Sequence, residues 1–189
     1  MPRQARSAET VTVIVEAAAR ILEEVGLGRF TTNAIADRAG VSIGSVYQYF
    51  PGKEALIGAL IVRETSLLIA NWDAASAAPT GRAALAGLIA AAVGHQLRRP
   101  ALARLLDLEE ARLPFDPETR RVLDRLSAIL RDVLAREDIA CLPDANVAAQ
   151  DVLAIIKGMI DAAGERSETD QPSLALRVCR AVYGYLDGA

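Results

Sequence analysis

Along the chain, short stretches with apolar residues every three or four positions alternate with polar breaks that carry glycine or proline. That spacing is the helical period, and no stretch shows the two-residue alternation of a half-buried strand. Residues 1–9 are polar and read as a short arm. A first helix comes next over about residues 10–25, where Ile14, Ala17, Ala18, Ile21, Leu22 and Val25 share one face. Gly26 and Gly28 end it, because glycine accepts the left-handed geometry in which helices often finish. Thr31 and Thr32 offer a cap for a short second helix over about 33–39, with Ile35, Ala36 and Ala39 facing inward. Gly40-Val41-Ser42 is a tight turn in which glycine permits the bend, Val41 plugs the corner and Ser42 caps the next helix. This third helix, over 43–50, places Val46 and Phe50 on one face, and Pro51-Gly52 breaks it.

The rest reads the same way. A fourth helix runs from Lys53 to about Ala75, and Pro79-Thr80-Gly81 separates it from a fifth over 81–98. Pro100 opens the way to a sixth over 101–112. Asp116-Pro117-Glu118 is a start signal for a seventh, which runs to about Glu137. Pro143-Asp144 starts an eighth that ends near Ala163, and residues 170–173 start a ninth that ends near Leu186. The pattern predicts an all-α chain of about nine helices. A three-helix head occupies residues 1–53 and a helical body residues 54–189.

Composition supports this picture. Of 189 residues, 52% are apolar and only 4% aromatic, enough for a globular core and poor in strand formers. The net charge of −3 does not suggest a nucleic-acid binder as a whole. The charge is uneven, however. In the head, Arg3, Arg6, Arg20, Arg29, Arg38 and Lys53 oppose Glu9, Glu16, Glu23, Glu24 and Asp37, so the acidic excess lies behind it. Cys141 and Cys179 form no CxxC and have no neighbouring histidine, which suits free thiols in a reducing compartment and not a zinc site. The most apolar window, residues 85–93, is too short to span a bilayer, and no secretory leader is visible. A cytoplasmic protein without membrane contact is expected.

Two short helices joined by a glycine-containing turn are the geometry of a helix-turn-helix, whose second helix enters the DNA major groove. Its outward positions here are Gly44, Ser45, Tyr47, Gln48 and Tyr49. Gly44 lets backbone approach DNA closely. Ser45 and Gln48 can bond base edges or phosphates, and Tyr47 offers a phenol to a phosphate. Lys53 adds a charge beside the backbone N–H groups at the start of the fourth helix. Spacing alone leaves a purely structural turn open beside DNA binding.

The stretch FTTNAIADRAGVSIGSVYQYFPGKEAL, residues 30–56, closely resembles the N-terminal signature of TetR-family transcriptional regulators. The cap, the turn, the aromatic pair and the Lys-Glu-x-Leu fall at the family's spacing. Gly52 departs from it, standing where many members carry asparagine. The resemblance implies that Thr32, Asn33, Ile43, Gly44, Ser45, Tyr47, Gln48, Tyr49 and Lys53 face double-stranded operator DNA. Ile43 is an apolar departure at a base-reading position, where it either meets a thymine methyl or packs. Arg3 and Arg6 belong to the arm, either as solvated charges or as further DNA contacts.

The resemblance further implies a homodimer whose last two helices form an intersubunit four-helix bundle. Val152, Ile155, Ile156, Met159 and Ile160 with Ala163 form one apolar stripe there, and Val178, Val182 and Tyr185 with Leu174, Ala181 and Leu186 form another. Both stripes can equally pack inside one chain. The middle helices would enclose an effector pocket, for which Trp72, His95, Glu109, Arg112 and Met159 are candidate lining residues. Glu109 and Glu110 suit a cationic effector or a solvated face. Wall residues that are mostly Leu, Ile, Ala and Val suit a small, largely apolar organic ligand. No catalytic residue, cofactor or metal is expected, since one histidine, no GxSxG and no phosphate-cradling loop leave little for an enzyme. The function implied is a ligand-responsive repressor; an activator with the same head and a helical adaptor are the alternatives.

Overall fold

The computed structural model describes residues 2–110, 112, 117–139 and 144–188, with backbone alone at 2–6 and 118. The elements are α1 (Pro2–Val25), a 3₁₀ turn (Leu27–Arg29), α2 (Thr32–Ala39), α3 (Ile43–Tyr49), α4 (Lys53–Ser76), α5 (Gly81–Arg98), α6 (Pro100–Glu110), α7 (Pro117–Leu134), α8 (Ala145–Glu165) and α9 (Gln171–Asp187). The fold is all-α, and no strand occurs among the described residues. The first helix corrects the expected polar arm. Pro2 suits a first helical position, and nothing between residues 3 and 9 breaks a helix, so α1 starts there and not near Thr10. The side chains of Arg3 and Arg6, the cap expected at Asp116 and the thiol of Cys141 lie outside the described residues. Cys179 is a half-buried free thiol whose pKa is raised by burial.

Two compact units divide the chain: Met1–Glu64 with Ala101–Thr119, and Thr65–Pro100 with Arg120–Ala189. The division falls inside α4, after Pro100 at the start of α6 and again inside α7, where the sequence pattern suggested a single cut at residue 53. The first unit is built on Ile14, Ala18 and Leu22 of α1, Ile35 of α2, Val46 of α3, Leu56 and Leu60 of α4 and Leu102 of α6. Burying each of these Ile, Leu and Val side chains contributes about 1.5–3 kcal/mol. Arg63 ties α4 to α1, donating to Glu16 at 2.9 Å and to Glu64 at 2.6 Å.

In the second unit Trp72 is 2% exposed, and its indole N–H donates to the Leu88 carbonyl at 3.0 Å. The turn from α4 to α5 is held by the segment after α7. Arg136 donates to the carbonyls of Ser76 and Ala78, satisfying the open end of α4. The Asp138 carboxylate accepts from the backbone N–H groups of Gly81 at 2.7 Å and Arg82 at 2.9 Å. These bonds hold its pKa below the ordinary carboxylate value. Gly81 has no room for a side chain, since a Cβ there would lie 2.8 Å from Asp138 Oδ1.

The stripes on α8 and α9 require a correction. Val152, Ile156, Ile160, Val178 and Val182 are buried in the chain's own core, which leaves them no surface to give to a second copy. Ile155, Met159 and Tyr185 remain half-buried, while Val147 and Leu176 are exposed. Tyr185 donates to Asp151 at 2.7 Å, joining the two helices. The apolar-window reading also changes. Over 18 residues α4 reaches a mean hydropathy of 1.3, long and apolar enough by composition to cross a membrane. It supplies Leu56, Ile57, Leu60 and Ile61 to one core and Trp72 to the other, which accounts for that composition.

Candidate nucleic-acid interface

The helix-turn-helix is assembled by three local devices. Thr31 is extended, and its hydroxyl accepts the N–H of Ala34 at 3.2 Å, which opens α2. Gly40 closes α2 at φ 67° and ψ 31°, a left-handed conformation that costs other residues about 1–2 kcal/mol. Ser42 opens α3 by accepting the N–H of Ser45 at 3.1 Å. Val46, fully buried, and Phe50 anchor the inner face of α3, so its other face is left to solvent.

That outer face holds most of the expected residues. Tyr47 is 54% exposed and Ile43 38% exposed. Gly44, Gln48, Asn33 and Lys53 are exposed, and Thr32 and Ser45 are partly so. The hydroxyls of Thr32 and Tyr47 lie 3.1 Å apart and bring α2 and α3 to one point. A Cβ on Gly44 would meet Ser42 Oγ at an ordinary 3.8 Å, so packing does not require glycine there. The bare backbone is therefore available for close approach by a partner.

Two positions differ from the outward reading. Tyr49 is half-buried against the core of its unit, and its hydroxyl oxygen accepts from Ser7 at 3.1 Å. The Ser45 hydroxyl pairs with that of Ser42 at 2.8 Å. Ser7 was missed because the sequence pattern placed it in an arm; its only signal was the unbroken run after Pro2.

The charges divide as well. Arg38 is paired with Glu24 and Arg20 with Glu16, whereas Lys53 has no ion-pair partner among the described residues. Exposed and unpaired, Lys53 is placed to meet a phosphate.

The five residues expected around an effector are divided between the two units. Glu109 is buried and ion-paired with the exposed Arg112 at 2.8 Å, both in the first unit. Trp72, His95 and Met159 belong to the second unit, where Trp72 is core with its N–H already engaged and the other two are half-buried. The second unit also has a surface groove of about 390 Å³ between α7 and α8. Asp124, Ser127, Arg131, Asn146 and Gln150 line it over a floor of Ala149 and Leu153. None of these was anticipated, since they are ordinary surface residues in sequence.

Comparison with known proteins agrees with this geometry. The family described as bacterial regulatory proteins, tetR family, matches residues 14–60. A tetracyclin repressor-like C-terminal domain matches residues 82–186. The nucleoid occlusion factor SlmA of Marinomonas sp. (strain MWYL1) is 30% identical over 159 residues, 79% of this chain and 80% of that protein. The A-factor receptor protein of Streptomyces griseus is 38% identical over 66 residues, 35% of this chain and only 24% of that relative's length. Among solved structures, the transcriptional regulator FadR of Bacillus subtilis in complex with stearoyl-CoA aligns with a TM-score of 0.79 at 22% identity, over 94% of this chain and 98% of that one. The exposed recognition face at the N-terminus and the two matches that together span most of the sequence agree: the chain belongs to the tetR family of bacterial transcriptional regulators.

Proposed function

We propose that the chain is a cytoplasmic homodimeric repressor that holds a palindromic operator and is released from it by a small-molecule effector. The observation that carries this reading is the outer face of α3, where Tyr47, Gln48 and Ile43 stand exposed on a helix capped by Ser42 and anchored by Val46. Thr32, Asn33 and Lys53 flank it and supply phosphate contacts; Gly44, Ser45 and Gln48 meet the groove. In function the head is residues 1–53 and the body residues 54–189, with α4 as the connection.

Two heads must match successive major grooves about 34–36 Å apart, so the operator is two-fold and the protein dimeric. The surface left on α8 and α9 by Ile155, Met159 and Tyr185, with Val147 and Leu176, is the seam we assign to the dimer. An effector that favours another tilt of α4 spoils the match between heads and grooves, so effector and DNA oppose each other reciprocally. An apolar organic ligand suits a body built from Leu, Ile, Val and Ala. Because FadR of Bacillus subtilis is bound to stearoyl-CoA, a long-chain acyl-CoA is the first compound to test.

The test is selection of bound duplexes from a random DNA pool, then titration of the winner with wild type and Tyr47→Ala. An inverted repeat bound by two chains, lost in the variant and weakened by an effector, is the expected result. A folded protein that enriches no sequence overturns the reading.

A further inference from the structure

We propose that Ser7 is a positioning residue for operator binding: its hydroxyl turns the phenolic hydrogen of Tyr49 away from the protein, as a donor for a backbone phosphate. The proposal rests on the DNA-binding reading above. Ser7 stands in the second turn of α1, 42 positions before Tyr49, which is the last residue of α3. Ser7 Oγ donates to Tyr49 Oη at 3.1 Å. A phenol has one hydrogen to give, and its oxygen also accepts. Because that oxygen accepts from Ser7, its own hydrogen must point elsewhere, and no acceptor for it lies among the described residues.

The ring of Tyr49 is half-buried against the core of its unit, so packing sets where the oxygen sits. What remains free is rotation about the C–O bond, and the Ser7 bond settles it. The other two hydroxyl pairs of this region, Thr32 with Tyr47 and Ser42 with Ser45, can each run in either direction. The Ser7–Tyr49 pair has a direction. Accepting a bond polarises the phenol and strengthens it as a donor, and a donor to a charged oxygen is roughly twice as strong as one to a neutral oxygen. The N-terminal turns of α1 thereby become part of the DNA-binding machinery, although Ser7 itself touches no DNA.

Wild type, Ser7→Ala, Tyr49→Phe and the double variant are titrated against the selected operator at two salt concentrations, and each is also taken through thermal unfolding. We expect each single change to weaken operator binding about tenfold. The double variant should lose no more than Tyr49→Phe alone, because Ser7 acts only through that hydroxyl. Ser7→Thr, which keeps the donor, restores binding, and the salt slope stays constant because no charge is removed. Wild-type affinity in Ser7→Ala, losses that multiply in the double variant, or weak binding explained by unfolding at the assay temperature each overturn the proposal while leaving the repressor reading intact. A wild type that binds no duplex overturns both.

Discussion

In the head, Tyr47, Gln48 and Lys53 stay at the surface; in the body, Val152, Ile156, Ile160, Val178 and Val182, chosen by the same helical spacing, disappear into the chain's own core. The two regions differ in what their residues can tolerate. A seven-residue helix with one buried anchor cannot hide a glutamine and a tyrosine, so polar composition announces a working surface. An apolar stripe announces only that something covers it. Its own chain and a second copy are equally good covers, and spacing does not separate them. The residues on which a dimer seam can be tested are the ones left over: Leu176, 54% exposed, and Val147, 49% exposed.

The sharpest way to break this contrast is Ile160→Ala. A core position loses about 2–5 kcal/mol, so urea unfolding shows a fall in stability that does not depend on protein concentration. Leu176→Arg should do the reverse, leaving monomer stability within about 0.5 kcal/mol while weakening self-association in sedimentation. If Ile160→Ala shifted only the dimer equilibrium, the division between core and seam would fail. Next in size, Lys53→Ala should weaken binding to operator and random duplex alike and lower the salt slope by about 1. Gly40→Ala forces an alanine into a left-handed conformation and should destabilise the fold by about 1–2 kcal/mol in thermal unfolding.

The smallest effect is a pH dependence. Asp138 is held below the ordinary carboxylate value by the N–H groups of Arg82 and Gly81, so its contribution is present above the unfolded pKa of about 4. That contribution is lost as pH falls through the lower folded value. Asp138→Asn should flatten the acid limb of stability below about pH 4. An unchanged limb would assign the cap no part in it.

Most of the fold was readable because its punctuation is chemical. Thr31, Gly40, Ser42 and Asp144 cap or close helices where the pattern put them, and Val46 and Leu22 lie inside as their spacing required. The start of α1 was not readable: residues 3–9 carry no apolar stripe, and only the contact of Ser7 with a tyrosine far along the chain reveals a role. Tyr49 is less exposed than the outward reading had it, for a related reason. A tyrosine two residues from an exposed one looks equally exposed, yet on a helix the two point about 160° apart, to nearly opposite sides. The surroundings of Trp72 and Glu109 were least readable, because their partners, Leu88 and Arg112, are ones that periodicity cannot supply.

The apolar character of α4 has a consequence before folding is complete. A helix that serves two cores must present oily residues around much of its circumference, which is why an 18-residue window reaches a mean hydropathy of 1.3. As the chain leaves the ribosome, residues 53–76 emerge ahead of Leu88, the carbonyl that takes up the indole of Trp72. For that interval the nascent chain carries a segment that a membrane or a chaperone can claim. A body slow to close over it would show itself as poor yield or inclusion bodies, with every residue of the DNA-reading face still in place.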